Sequence, residues 1–215
     1  MKDKIFTVAL SLFSLINIHA QDNKILENDS KSEKKLYIKG NALLIPIGIV
    51  NAGIEYQLKN KLTIQGDVLI SPWKSFAGHE LQYYSLSVEG RYYFQEAFTG
   101  FFLGANLSAS SFVLQKYSYW NDDAYQSKID ENVFFTKSNL YQKGYSLLVG
   151  ITAGYQFRLA DNWNMELYGT IGSSQDFYKG YDRVSGNRYD EAIDYNKSGE
   201  IIPYRGGVMI SYRLK

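Results

Sequence analysis

Seven charged residues recur on one side of segments in which apolar and polar side chains alternate. In the stretch YYSLSVEGRYYF, residues 83–94, an extended chain puts Glu89 and Arg91 on one side and Val88 and Tyr92 on the other. The full set is Lys39, Glu55, Asp67, Glu89, Arg91, Glu166 and Arg205. Four acids and three bases on one face can neutralise one another as ion pairs, or they can conduct protons or ions. We expect mutual neutralisation, because an unpaired buried charge costs several kcal/mol.

A second group that could do chemistry surrounds His79 in the stretch FAGHEL, with Glu80 beside it and Ser75 close by. An acyl-transfer enzyme needs a nucleophile, a histidine base and an orienting acid within hydrogen-bond reach. The sequence places this histidine in a loop and shows no His-x-Ser pattern. We therefore predict an exposed loop histidine and a protein that is not an enzyme, with a lipid-modifying enzyme as an alternative.

Aromatic residues are frequent in two long polar connections, at 117–142 and 177–195. Tyrosine and tryptophan dominate contact energies in recognition, so these connections are candidates for a surface that binds a partner. The residues chosen as candidates for surface recognition are Trp120, Tyr125, Phe134, Tyr181 and Tyr189. The alternative is that the flanking strands continue beyond a membrane and that these aromatics pack as cross-strand pairs.

Composition removes several classes of function. The net charge of +1 and the absence of any nucleic-acid-binding motif argue against a nucleic-acid partner. Cysteine is absent, which excludes disulfides, thiol catalysis and cysteine-ligated metals. The acidic stretches NDD at 121–123 and DEN at 130–132 lack the spaced oxygen ligands of a calcium loop. We expect no cofactor and no metal.

Eight strands are predicted to carry these residues. Alternating runs place them near 35–45, 49–58, 61–70, 83–94, 101–116, 143–159, 162–178 and 200–214. The connections after strands two, four and six are short, whereas those after strands three, five and seven are about 12, 26 and 21 residues long. Short turns at one end and long loops at the other are typical of outer-membrane barrels.

The two faces of these strands differ sharply. Forty positions on one face, five per strand, hold no charged residue, although 21% of the chain is charged. Aromatics collect at the strand ends, as interfacial girdles do, with Trp163 and Tyr212 at one end and Trp73 and Tyr204 at the other. A soluble lipocalin-like barrel would turn the apolar face inward. We predict instead an all-β fold, an eight-stranded antiparallel up-and-down transmembrane β-barrel over residues 35–215, with the apolar face in lipid and an interior filled by side chains.

The first residues indicate export. Residues 1–20 combine Lys2 and Lys4 with an apolar run and a small residue, Ala20, before Gln21, which predicts a signal peptide. Residues 21–34 are polar and predict a flexible periplasmic tail. The expected location is the cell outer membrane.

Several segments carry a resemblance to a known family. They are GNALLIPIGIVNAGIEYQL, LTIQGDVLISPW, LQYYSLSVEGRYYF with GFFLGANL, and GITAGYQFRLADNWNMELYGTIG. Together they resemble a family of small outer-membrane barrels of unknown function from Bacteroides-like Gram-negative bacteria, within the OmpA/OmpX-like group. The resemblance covers most of residues 36–215 and implies a fold and a location, but no catalytic residue.

The expected function is that of a non-enzymatic outer-membrane barrel with a filled polar lumen. Its role would be structural, or surface recognition through the extracellular loops, and a narrow channel or transporter for small solutes is the first alternative. The expected partners are outer-membrane lipid, the barrel assembly machinery during biogenesis and an extracellular surface partner, with no nucleic acid.

Overall fold

A computed structural model describes residues 34–190 and 194–215. The predicted signal peptide and residues 21–33 of the predicted tail lie outside the described residues. In the described part of the chain, no helix is long and apolar enough to cross a membrane.

Eight strands form one antiparallel sheet that closes on itself, and we call it the closed sheet. The prediction of an all-β, eight-stranded antiparallel fold is confirmed. Going round the closed sheet, the order is β1, β10, β9, β8, β5, β4, β3, β2. Its strands are β1 (Leu36–Asn41), β2 (Val50–Lys59), β3 (Leu62–Phe76), β4 (His79–Tyr93), β5 (Gly100–Leu114), β8 (Leu140–Arg158), β9 (Trp163–Asp182) and β10 (Asn196–Arg213). Two short strands, β6 (Ala124–Gln126) and β7 (Phe134–Thr136), pair separately.

The ends of the closed sheet differ in their connections. One end, the short-turn end, holds the connections at 60–61, 94–99 and 159–162, together with the start of β1 and the end of β10. The other, the long-loop end, holds the connections at 42–49, 77–78, 115–139 and 183–195. One-turn 3₁₀ helices lie in two of the latter, at Ile45–Ile47, Tyr117–Tyr119 and Lys137–Asn139.

The connection between β3 and β4 is much shorter than expected. A loop of about 12 residues is wrong here, because both strands continue to a turn formed by Ala77 and Gly78 alone. Both residues have positive φ, 50° and 89°, as a two-residue type I′ hairpin turn requires. His79 consequently begins β4 and does not lie in a loop.

Strand β1 is shorter than predicted and leaves a gap in the wall. It ends at Asn41, and the chain then turns through Ile45–Ile47, where Pro46 removes a backbone donor. β10 pairs with β1 only over residues 209–213, and its described residues before Met209 pair with β9 alone. Similarly, the residues of β3 after Ile70 pair with β4 alone. The wall gap is the interval between these two strand edges, and residues 42–49 cross it. Trp73 holds the crossing by donating from Nε1 to the carbonyl of Ile47 at 2.9 Å.

A β-bulge shifts the faces of β10. Pro203 pairs with Ile171 and Arg205 with Thr170, so Tyr204 is an extra residue in the ladder. The tyrosine points inward, and its hydroxyl donates to Oδ1 of Asn106 at 2.8 Å. The predicted outward, girdle position of Tyr204 is therefore wrong. Pro203 fits this strand because its free edge needs no backbone donor.

Candidate functional site

The interior of the closed sheet contains three successive layers. Nearest the short-turn end is an apolar plug built from Tyr37, Tyr93, Ala97, Phe98, Phe102, Tyr168 and Met209. Next comes a layer of ion-paired side chains, and beyond it a cavity faces the long-loop end. Each layer follows from the alternation of the strands, because every second residue points inward.

The plug depends on the connection at 94–99, which folds into the interior. Phe98 is only 2% exposed, and the centre of its ring is 4.4 Å from that of Tyr37. The Phe98 carbonyl accepts a hydrogen bond from the Asn164 side-chain amide at 3.3 Å. Phe98 reaches this position with φ of 70°, which is rare for a residue with a side chain. The plug thus closes the interior of the closed sheet at the short-turn end.

Arg91 lies at the centre of the ion-paired layer. Its Nε contacts Glu89 Oε1 at 2.6 Å, and its Nη1 contacts Glu55 Oε2 at 3.2 Å and Glu166 Oε2 at 2.8 Å. The guanidinium also lies over the Phe102 ring, 4.5 Å from its centre. One cation thereby joins acids from three strands, β2, β4 and β9.

The other two bases complete this layer. Lys39 Nζ contacts Glu55 Oε2 at 2.7 Å and also contacts Glu166. Arg205 Nη1 contacts Glu89 Oε2 at 2.9 Å, and its Nη2 contacts Asp67. The side chains of all seven predicted residues are 5% exposed or less and belong to one connected network. Four carboxylates face three cations, so the network carries one excess formal negative charge.

Neutral side chains donate to the carboxylates of Glu55 and Glu89, and the sequence interpretation did not identify their roles. Glu166 Oε1 has no hydrogen-bond partner among the described residues. Thr63 Oγ1 and the Tyr93 hydroxyl donate to Glu55 Oε1 at 2.5 and 2.9 Å. Thr152 Oγ1 donates to Glu89 Oε2 at 2.6 Å. The sequence could have identified these donors, because Thr63, Tyr93 and Thr152 share the inward face with the charged residues and side chains on one face contact those on neighbouring strands.

The cavity beyond this layer has a volume of about 500 Å³. Most of the surface of its wall is apolar, and polar groups are contributed mainly by β8, β9 and β10. The lining residues are Leu44, Ile49, Leu69, Ser71, Leu81, Tyr83, Phe112, Leu114, Gln115, Lys116, Gln142, Ser146, Leu148, Ser174, Asp176, Tyr178, Ser198, Glu200, Ile202 and Tyr204. No residue of this set had been singled out as a binding residue from the sequence.

Asp176 is held in the cavity wall by three serines. Ser146 and Ser198 lie directly opposite Asp176 on the two neighbouring strands, and Ser174 precedes it by two residues on the same face. Ser174 Oγ donates to Oδ1 at 2.7 Å, Ser198 Oγ donates to Oδ2 at 3.1 Å, and Ser146 also donates to Oδ1. The ion pairs of the described residues do not include Asp176.

His79 has structural partners, and the expected exposed loop histidine is wrong. It is half-buried, its ring stacks on Trp120 with centres 4.0 Å apart, and Nδ1 lies 2.6 Å from Gln115 Oε1. Glu80 is engaged by Arg183 at 2.6 Å. The contacts of this histidine in the described chain thus involve an amide and an indole, neither of which is a nucleophile.

The five candidates for surface recognition do not share one environment. Phe134 and Trp120 are 62% and 49% exposed, while Tyr125 and Tyr181 are half-buried. Tyr189 is 2% exposed and makes edge contacts with the rings of Tyr119 and Tyr125, so it cannot meet a partner. Its backbone joins the loops, donating to the Gly180 carbonyl and accepting from the Lys128 amide. Burial raises the pKa of the Tyr189 hydroxyl far above its ordinary value.

The described residues contain no group of three or more histidine, aspartate and glutamate side chains arranged to hold a metal ion. Neither the curated proteins nor the solved structures include a match to this chain. One family model does match, over residues 8–214, and its description is "Protein of unknown function (DUF3575)". Because the match covers nearly the whole sequence, the chain belongs to the DUF3575 family.

Proposed function

We propose that this chain is a transmembrane barrel of the bacterial outer membrane, of the OmpA/OmpX-like type, that acts without catalysis at its long-loop end. The observation that carries the proposal is the inverted polarity of the closed sheet. Val88 is 49% exposed on the outside, whereas its neighbour Glu89 is 0% exposed on the inside. A soluble protein gains stability by the opposite arrangement, whereas an outer-membrane barrel presents an apolar band to lipid and a polar interior.

The layers of the interior favour a structural or recognition role over transport. The plug around Phe98 and the network around Arg91 fill the lumen in succession, and each charged side chain of that network contacts one of opposite charge. A path for water or ions would have to cross both layers. The long-loop end, by contrast, offers an open cavity and the exposed aromatics Phe134 and Trp120. Contact with an extracellular partner or ligand at this end is therefore the function that the geometry supports best.

The proposal includes a route to the membrane. Residues 1–20 direct export and are removed, residues 21–34 form a periplasmic tail, and the barrel assembly machinery inserts the closed sheet in the outer membrane. The short-turn end then faces the periplasm and the long loops face outward.

The first test is folding and conductance of the mature chain. Folded in detergent, it is expected to migrate faster on an unheated gel than after boiling, since pairing within the closed sheet satisfies most backbone groups of its strands. Inserted in planar bilayers, it is expected to show no steady conductance, since the plug and the ion-paired layer fill the interior between the cavity and the short-turn end. A chain that stays soluble without detergent contradicts the membrane location. Reproducible, ion-selective steps that Arg91→Met or Glu89→Gln alters contradict the closed lumen and favour the channel alternative.

A further inference from the structure

The cavity at the long-loop end has the size and lining of a ligand site. Its volume of about 500 Å³ lies within the range of about 300–1,000 Å³ that is typical of small-molecule pockets. Eight of the twenty lining residues are leucine, isoleucine or phenylalanine, among them Leu69, Phe112 and Leu148, and apolar atoms make most of the wall. Such a wall suits an apolar body, and it leaves the chemistry of the polar end to be decided by the few charged groups.

Asp176 supplies an acceptor that the protein leaves incompletely used. A carboxylate has about four acceptor positions, and three serine hydroxyls occupy three of them. Oδ1 accepts from two serines, whereas Oδ2 accepts from Ser198 alone. Hydroxyl donors fix the orientation of the carboxylate but bring no positive charge. The remaining position on Oδ2 therefore favours a cationic N–H donor over a neutral one.

The other charged groups of the lining reinforce this preference. Glu200 adds a second carboxylate, and Lys116 is the one cation among the lining residues. Lys116 lies over the Tyr178 ring, with Nζ 5.5 Å from the ring centre. Two acids and one base leave the lining with a net formal charge of −1, which opposes an anionic head group.

From these features we infer that the cavity binds a small amphiphile with an aliphatic body and an ammonium head, and that Asp176 receives the head. The serines hold the carboxylate in place before the ligand arrives, so little ordering is required on binding. The aliphatic body lies against the wall that includes Leu69 and Phe112. This inference adds a ligand class to the proposed function and rests on the proposed membrane location, because the ligand enters from the bilayer.

The wall gap provides an entrance from the bilayer. Residues 42–49 cover the gap, with Leu44 and Ile49 lining the cavity and Leu43, Ile45 and Ile47 exposed on the outside. One short segment thus has an apolar side toward the cavity and an apolar side toward the surroundings. Because β1 stops at Asn41, the long strand ladders of the remaining wall do not seal this interval. An amphiphile resident in the outer leaflet can pass here with its chain still in an apolar environment.

The experiment measures binding by the full mature chain in lipid nanodiscs, with empty nanodiscs as the blank. Titration calorimetry compares octylammonium, octanol and octanoate, which share a chain and differ in the head. Octylammonium is expected to bind at least tenfold more tightly than either of the others. Asp176→Asn keeps the shape and removes the charge, and it is expected to abolish this preference. Asp161→Asn, the same change at an exposed acid of the short-turn end, is the matched control and is expected to preserve it.

A second arm tests the entrance. Octadecylammonium placed in the nanodisc bilayer is too apolar to leave it, and it is expected to compete with octylammonium. Equal binding of the three eight-carbon compounds, absence of binding, or an unchanged preference in Asp176→Asn overturns the ligand class. Undiminished octylammonium binding in the presence of octadecylammonium overturns bilayer entry. A chain that shows the fast-migrating folded form yet fails these tests refutes the ligand alone and leaves the proposed membrane role intact.

Discussion

Arg91 contacts three carboxylates in the interior, so its loss should destabilise the whole ion-paired layer. Arg91→Met removes the cation while keeping much of its volume, and it leaves four acids facing Lys39 and Arg205 alone. Uncompensated buried charge of this kind costs about 3–5 kcal/mol. We expect that loss in the free energy of unfolding, measured by denaturant titration of the chain folded in lipid vesicles.

Glu89→Gln, in the same ion-paired layer, is the variant to compare with Arg91→Met. It leaves three acids and three bases, and each base keeps at least one acid, since Arg91 retains Glu55 and Glu166 while Arg205 retains Asp67. The glutamine also preserves volume and hydrogen bonding. The expected loss of stability is clearly smaller than for Arg91→Met. If the two variants lose equal stability, the layer is not held by its charge balance.

At this scale the sequence predicted the membership of the network and not its connections. Alternation identified the seven inward charges, because inward position depends only on local parity. Which acid meets which base depends on the register between strands, and this is set by turns and long-range pairing. The misplacement of Tyr204 has the same origin, since one inserted residue in a ladder shifts the faces beyond it.

Among the connecting elements, the turn at 94–99 closes the short-turn end with Phe98. Phe98→Ala leaves a void in the plug and is expected to cost about 3–5 kcal/mol of unfolding free energy. Phe98→Gly removes the same ring and should be more stable than the alanine variant by about 1 kcal/mol, because glycine tolerates positive φ. Denaturant unfolding of the two variants side by side checks this order. The reverse order would mean that the turn does not hold this residue at positive φ.

The loop elements also depend on one buried residue, Tyr189. Tyr189→Ala should loosen the connection at 115–139, because the ring contacts Tyr119 and Tyr125 and the neighbouring backbone is bonded to Lys128. The measurement is the rate of limited proteolysis in that connection, with the closed sheet monitored by gel migration. Tyr189→Phe keeps the ring and its contacts with Tyr119 and Tyr125, and it is therefore expected to be cleaved more slowly than Tyr189→Ala. Tyr117→Ala, at a tyrosine that is 81% exposed, is the control and should leave the rate unchanged.

The limits of sequence interpretation for these elements have local causes. The strand bodies were predictable from alternation, whereas the turn at Ala77 and Gly78 was not, since alanine replaces the asparagine or aspartate that usually marks a type I′ turn. The strand pair β6 and β7 is only three residues on each side and too short to show a period. The cavity was missed for a related reason: its lining includes residues such as Leu44 and Gln115, whose positions depend on how the connections fold back.

For the molecule as a whole, the decisive question is what surrounds the apolar outer face. Val88→Arg near the middle of the proposed bilayer is expected to cost about 2–4 kcal/mol of unfolding free energy in vesicles, because the charge would sit in hydrocarbon. Val184→Arg makes the same change at a loop valine that is 78% exposed and should have little effect. Equal tolerance of the two substitutions would mean that the outer face does not contact lipid, and a soluble barrel would then be the better description.

The short first strand has a mechanical consequence. β1 has six residues, whereas its neighbour β10 has 18 and the strands β8 and β9 have 19 and 20. The number of backbone hydrogen bonds between two strands rises with their paired length. The pairings of β1 with β2 and with β10, here called the β1 seam, therefore resist separation least. Under a pulling force applied at the two termini, this seam should part first, at low force, and the long ladders from β8 to β10 should yield last. The weakest strand pairing of the closed sheet would thus lie beside the wall gap.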